Sequence, residues 1–141
     1  IALEIEWNNK DPFFDRDLEN FQRLHAQSVI SLGSIVTRGS SLQDALPGIV
    51  ERCLMKHSVT DESGLAVFDM YDRTARQRQI VEKAMKRHGI GYAEAFAKQF
   101  VADKFGQATT HWRKLEDRMH RGVGNPCPLL LIGLPVSVVV E

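Results

Sequence analysis

The sequence predicts an α/β (α+β) fold in which helices flank a mixed central β-sheet, and three features carry that expectation. Residues 2–7 alternate apolar and acidic side chains, the period of a strand. Strand, helix and second strand patterns fit within the first 38 residues, which implies a crossover connection. The chain then closes on a nearly continuous apolar stretch, "PLLLIGLPVSVVV", after a series of glycine-punctuated helical segments.

In the first strand Leu3, Ile5 and Trp7 share one face, and Glu4 and Glu6 the other. Pro12 marks a turn, and Asp15 or Asp17 is expected to cap the helix that follows. That helix presents Leu18, Phe21, Leu24 and His25 at three- and four-residue spacing, so one side packs inward. "SLGSIVTRG" predicts a second strand over 32–37, closed by Gly39. From Ser41, with Asp44 three residues on, the pattern turns helical. Pro47 is expected to kink that helix or to start another. Residues 65–70 read as a short strand or a buried loop. Helices are expected over about 74–88, 92–105 and 110–121, with Gly89, Gly91, Gly106 and Gly122 as terminators. The final strand, within 128–140, is of the kind covered on both faces.

With 141 residues, 43% of them hydrophobic and 26% charged, the composition is that of one globular domain and excludes a disordered or fibrous chain. No apolar run approaches the roughly 20 residues a membrane helix needs. Two cysteines, Cys53 and Cys127, are too few for a disulfide framework and too distant for a zinc knuckle, so a reducing cytoplasm is expected. The first residue, Ile1, falls inside a strand pattern and no signal peptide accounts for it. The chain is therefore expected to be the C-terminal portion of a larger domain.

Charge is neutral in total and lopsided in place. Residues 1–72 hold 6 Lys and Arg against 12 Asp and Glu; residues 73–121 hold 12 against 5. A basic block beside an acidic one suits a nucleic-acid-facing surface next to a cation-binding carboxylate cluster, and equally suits solvated helices.

The carboxylates decide between these. Strand residues two apart point the same way, roughly 6.5–7 Å apart along the backbone. Glu4 and Glu6 could hold Mg²⁺ together with a third carboxylate from a neighbouring strand, because that ion prefers oxygen ligands and keeps waters. By itself a Glu-x-Glu is as readily the wet side of an amphipathic strand.

The stretch "LEIEWNNKDPFFDRDLENFQRLHAQSVISLGSIVTRG" resembles the catalytic core of the BamHI/BglII-type type II restriction endonucleases, members of the PD-(D/E)xK nuclease superfamily. "TTHWRKLEDRMHRGVGNPCPLLLIGLP" resembles the C-terminal region of the same family, and about residues 57–90 resemble nothing recognisable. The resemblance implies a restriction-endonuclease-like core and Mg²⁺-dependent cleavage of double-stranded DNA at a short palindrome by a homodimer. It implies that Glu4 is a direct Mg²⁺ ligand joined by the carbonyl of Ile5. Glu6 stands where most of the superfamily has Lys, and this branch uses Glu or Gln there, so Glu6 would orient or deprotonate the attacking water. Lys10 would supply a nearby positive charge or face solvent. The Asp half of the motif would lie upstream of Ile1, and a chain without it is expected to bind metal poorly and cleave little.

Helical spacing from Thr110 places His111, Lys114, Arg118 and Arg121 on one face and Trp112, Leu115 and Met119 on the other. With Arg113 these make a basic stripe suited to phosphates. The resemblance adds Asn9 and Arg16, with Asp11, as base-edge or phosphate contacts past the acidic strand. Arg38 could reach DNA or cap a neighbour. Two alternatives remain open from the residues: another nuclease of the same fold acting in repair or on junctions, and a non-enzymatic, mainly helical DNA- or protein-binding module.

Overall fold

The structure, a computed structural model, describes residues 1–140 and falls into two compact units. The first comprises residues 1–44 and 107–140, the second residues 45–106.

The first unit is built on three parallel strands, β1 (Ala2–Glu6), β2 (Gly33–Arg38) and β3 (Leu129–Leu134), in the order β1-β2-β3. Between β1 and β2 runs α1 (Pro12–Ala26), the crossover that parallel pairing requires. Pro12 opens this helix rather than preceding it, which suits a residue with fixed φ and no amide to bond. The expected caps are displaced as well: the N-cap is Asp11, which makes no side-chain cap bond, and Asp17 lies well inside the helix, buried. Phe14, Leu18 and Phe21 of α1 form the core with Ile30, Ile35, Leu115 and Cys127.

Close approach of backbone to ring fixes which face of the sheet is covered. A Cβ on Gly33 would collide with the ring of Phe21, and one on Gly133 would sit 2.8 Å from the ring of Trp112. Trp112 begins α5 (Trp112–His120), so α1 and α5 cover the same face. Ala2, Leu129 and Leu131 pack against the core on that face. By alternation Glu4 and Glu6 lie there too. Glu6 is only 2% exposed, whereas Leu3 is 57% exposed and Ile5 65%. The alternation of β1 is therefore as expected, but its acidic face is the inward one and not a wet one. The last strand also departs from expectation: Leu130 and Ile132 are exposed, so β3 is covered on one face only.

A single helix, α2 (Ser40–Lys56), runs through Pro47 and carries the chain from the first unit into the second. In the second unit a 3-10 helix spans Glu62–Phe68 where a strand or loop was expected. Asp61 caps it through the amides of Ser63 and Gly64, and Asp69 ends it in the left-handed region. Helices α3 (Ala75–His88) and α4 (Tyr92–Phe105) follow. Thr74 and Gln77 form a capping box on α3, and Gly89 terminates it at φ 63°. Leu54, Val59, Leu65 and Phe96 make this unit's core. Beside it Arg73 is buried against the ring of Phe96 and hydrogen-bonded to Glu62 and Gln99.

The reversed faces of β1 predict an inverted mutational pattern. Leu18→Ala should lower unfolding free energy by about 2–5 kcal/mol. Ile5→Ser should change it by less than about 0.5 kcal/mol. Urea denaturation of both variants checks this, and a large loss at Ile5 would contradict the placement of that face.

Candidate active site and nucleic-acid interface

The acidic end of β1 meets α1 in a cluster of four side chains. Glu6 Oε2 accepts a hydrogen bond from Asn9 Nδ2 at 2.9 Å. Its other oxygen lies 3.5 Å from Arg16 Nη2. Arg16 in turn donates through Nε (2.8 Å) and Nη2 (2.7 Å) to Asp17 Oδ1, and its guanidinium stacks on Phe13 at 4.3 Å. Glu6 and Asp17 thus share one guanidinium, Arg16 Nη2 reaching an oxygen of each. Burial pushes the Glu6 carboxyl above the ordinary glutamate value; Asn9 opposes the shift, and Asp17 adds to it.

Glu4 shares the inward face but is only half-buried, and it contributes to the field at Arg16. Ile5 turns its side chain to the open face, and its Cα is in register with Val36. Lys10 is exposed; its backbone forms an antiparallel bridge with Thr109. A divalent cation finds one side of a site here. Glu4 offers a carboxylate that is not sealed in, whereas Glu6 is engaged by Asn9 and Arg16. Among the described residues no group of three or more His, Cys, Asp or Glu converges on one point. The donor set on these strands thus fits one flank of an oxygen-ligated cation and not a full cage.

A second cluster lies where β2 ends. Thr37 is the cross-strand neighbour of Glu6, and Arg38 follows it. Arg38 is fully buried and donates to Thr109 Oγ1 (2.8 Å), to the carbonyl of Thr110 (2.6 Å) and to Gln43. Burial lowers its pKa to about 10, which leaves it charged at neutral pH. It also lies over Trp7, 5.9 Å from the ring centre. His111 is 1% exposed, and neither ring nitrogen has a protein hydrogen-bond partner. Burial, then Arg38, Lys114 and Arg113, push its pKa below the ordinary histidine value, against a smaller pull from Asp11.

The basic residues of α5 are drawn onto acidic partners. Arg113 makes two bonds to Asp44, at 2.9 and 2.6 Å. Lys114 lies 3.3 Å from Asp11. Arg118, 6% exposed, reaches Asp15 at 3.0 Å and Asp11 at 3.5 Å. Arg121 pairs with Asp117 at 2.9 Å. Arg113 and Arg121 remain exposed and Lys114 partly so, while Arg118 and His111 are inside. The structure thus gathers Glu4, Glu6, Asn9 and Arg16 at one place. His111 and Arg38 form a neighbouring buried set, Arg113, Lys114, Arg118 and Arg121 are spread along α5 and its C-cap, and Ile5 and Lys10 belong to neither group.

Asp17 is the residue of this region that the sequence pattern offered only as a helix cap and not as part of the site. Its spacing from Phe14 and Phe21, three and four residues away, puts it on the buried stripe of α1, and that signal was available. Asp11 and Asp15 as partners of Arg118 are separated from it by more than a hundred residues and left no local trace.

A family model described as Restriction endonuclease BglII/BglIII matches residues 1–134. No curated protein and no solved structure matches the chain.

The buried imidazole sets a pH dependence. Burial holds the His111 pKa below its ordinary value of about 6.5, which the unfolded chain recovers, so around and below that pH the unfolded chain binds more protons. Its contribution is intact above about pH 6.5 and declines as the solution is acidified. Urea unfolding at about pH 7.5 and 5.5 should show the wild type losing more stability across that interval than His111→Gln. Equal losses would contradict a neutral His111.

Proposed function

This chain belongs to the BglII/BglIII restriction endonuclease family, and we propose that it cuts a short palindromic site in double-stranded DNA with Mg²⁺, as a homodimer. The family makes it a type II restriction endonuclease, a hydrolase of DNA phosphodiester bonds. The observation that carries the finer reading is the carboxylate pair on β1, one open and one held in place, at the C-terminal ends of parallel strands. That end of an open α/β sheet is the usual location of a ligand site.

In this reading Glu4 and the carbonyl of Ile5 hold the cation. A divalent ion there acts as a Lewis acid, lowering the pKa of water and offsetting charge on the phosphate. Glu6, fixed by Asn9 and Arg16, orients the attacking water or accepts its proton, and Lys10 adds positive potential nearby. Asn9 supplies an amide suited to a base edge. Of the basic residues, Arg16, Arg113, Lys114 and Arg121 are the ones with surface to meet phosphates. Arg38, His111 and Arg118 serve from inside, by holding the ends of β2 and α5 in place. Two-fold symmetry of a homodimer matches a palindromic site.

Incubation of the full-length protein with plasmid DNA and Mg²⁺ tests this. Discrete fragments are expected, whereas a smear would mean a nuclease without a preferred site. Glu4→Ala should slow cleavage by more than about a hundredfold. Its DNA affinity without divalent cation should stay within a few-fold of wild type. Unchanged cleavage by Glu4→Ala would overturn the assignment.

A further inference from the structure

Asp17 presents a problem that packing alone does not solve. It is 1% exposed, on a helix face otherwise made of Phe14, Leu18 and Phe21. A carboxylate in such a place costs free energy unless it is paired. Only half of it is: Oδ1 takes both bonds from Arg16, and Oδ2 is buried with no hydrogen-bond donor. Glu6 is itself almost wholly buried. Among the described residues, the cation that bridges both acids is Arg16, whose Nη2 lies 2.7 Å from Asp17 and 3.5 Å from Glu6.

We propose that Asp17 is a positioning residue for Glu6: with Arg16 it forms the buried wall that fixes the Glu6 carboxyl against Asn9. This rests on the role given to Glu6 above. Without the wall Glu6 keeps two side-chain torsions that could swing it away from Asn9. With it, two contacts converge, Asn9 on Oε2 and Arg16 on Oε1, and Asp17 in turn holds Arg16 by two hydrogen bonds. Second-layer side chains that lock the rotamer of a reactive group commonly matter to rate about as much as to stability. Asp17 touches neither DNA nor cation in this arrangement, so its effect must run through Glu6.

The experiment compares Asp17→Ala, Asp17→Asn and wild type by two measurements. The first is the side-chain amide signal of Asn9 in ¹H–¹⁵N spectra of the protein without DNA. In Asp17→Ala this signal should move toward the position of a free asparagine amide. In Asp17→Asn, whose amide can still accept from Arg16 and donate to Glu6, it should stay near wild type. The second is cleavage of plasmid DNA. Asp17→Ala should lower kcat roughly tenfold with KM within about twofold, and Asp17→Asn should recover most of that loss. If Asp17→Ala does not fold, Arg16→Ala removes the same bridge from the surface side and should give the same Asn9 shift. An Asn9 signal unmoved in the alanine variants overturns the proposal. So does a kcat unchanged while KM rises. Cleavage is read in the full-length protein; should the full-length wild type cut no DNA, the role assigned to Glu6 fails, and the Asn9 signal still decides whether Asp17 holds it.

Discussion

A carboxylate on the inner face of an edge strand is the constraint around which the first unit is arranged. Glu6 sits where an apolar side chain would ordinarily go, between β1 and α1. Such burial is tolerated only when hydrogen bonds and an opposite charge are supplied at short range. Asn9 comes from the turn after β1, and Arg16 and Asp17 come from the first turns of α1. Strand, turn and helix are thereby tied to one another through a single side chain.

The same constraint bears on register. A strand turned over by one residue would bury Leu3 and Ile5 and expose both glutamates, which on apolar area alone is the better arrangement. The observed pairing of Glu6 with Thr37 and of Ala2 with Gly33 gives that up. A Cβ on Gly33, beside Ala2 on the neighbouring strand, would collide with the ring of Phe21, so α1 approaches β2 closely at this point. Apolar burial is given up at β1, where the carboxyl is held instead by Asn9 and Arg16.

Much of the architecture was legible because its signals are local. Glycine at both ends bracketed α4, and Gly89 marked the end of α3. Both early strands were recognisable within a residue of their ends. What could not be read was orientation: a period of two defines two faces without saying which one meets a helix, and the answer depended on Phe21 and Trp112, distant in sequence. The 3-10 turn at Glu62–Phe68 was hidden for another reason. It is set by a side-chain cap at Asp61 and a left-handed Asp69, neither of which has a hydrophobic period. At the candidate site, Glu4 and Glu6 stood out through the resemblance of the stretch around them, not through their two-residue spacing. The buried state of Arg118 did not, because its partners are on α1.

The acidic and basic blocks that looked like separate surfaces in the sequence are partly spent on each other: Asp11, Asp15 and Asp44 meet Lys114, Arg118 and Arg113 within the first unit. A cation already facing a carboxylate gathers few mobile anions from solution. When a polynucleotide displaces that carboxylate, the exchange liberates less small salt than an unpaired lysine or arginine would, and part of the attraction is cancelled by the acid left behind. The number of basic side chains on α5 thus overstates how steeply association would weaken with ionic strength.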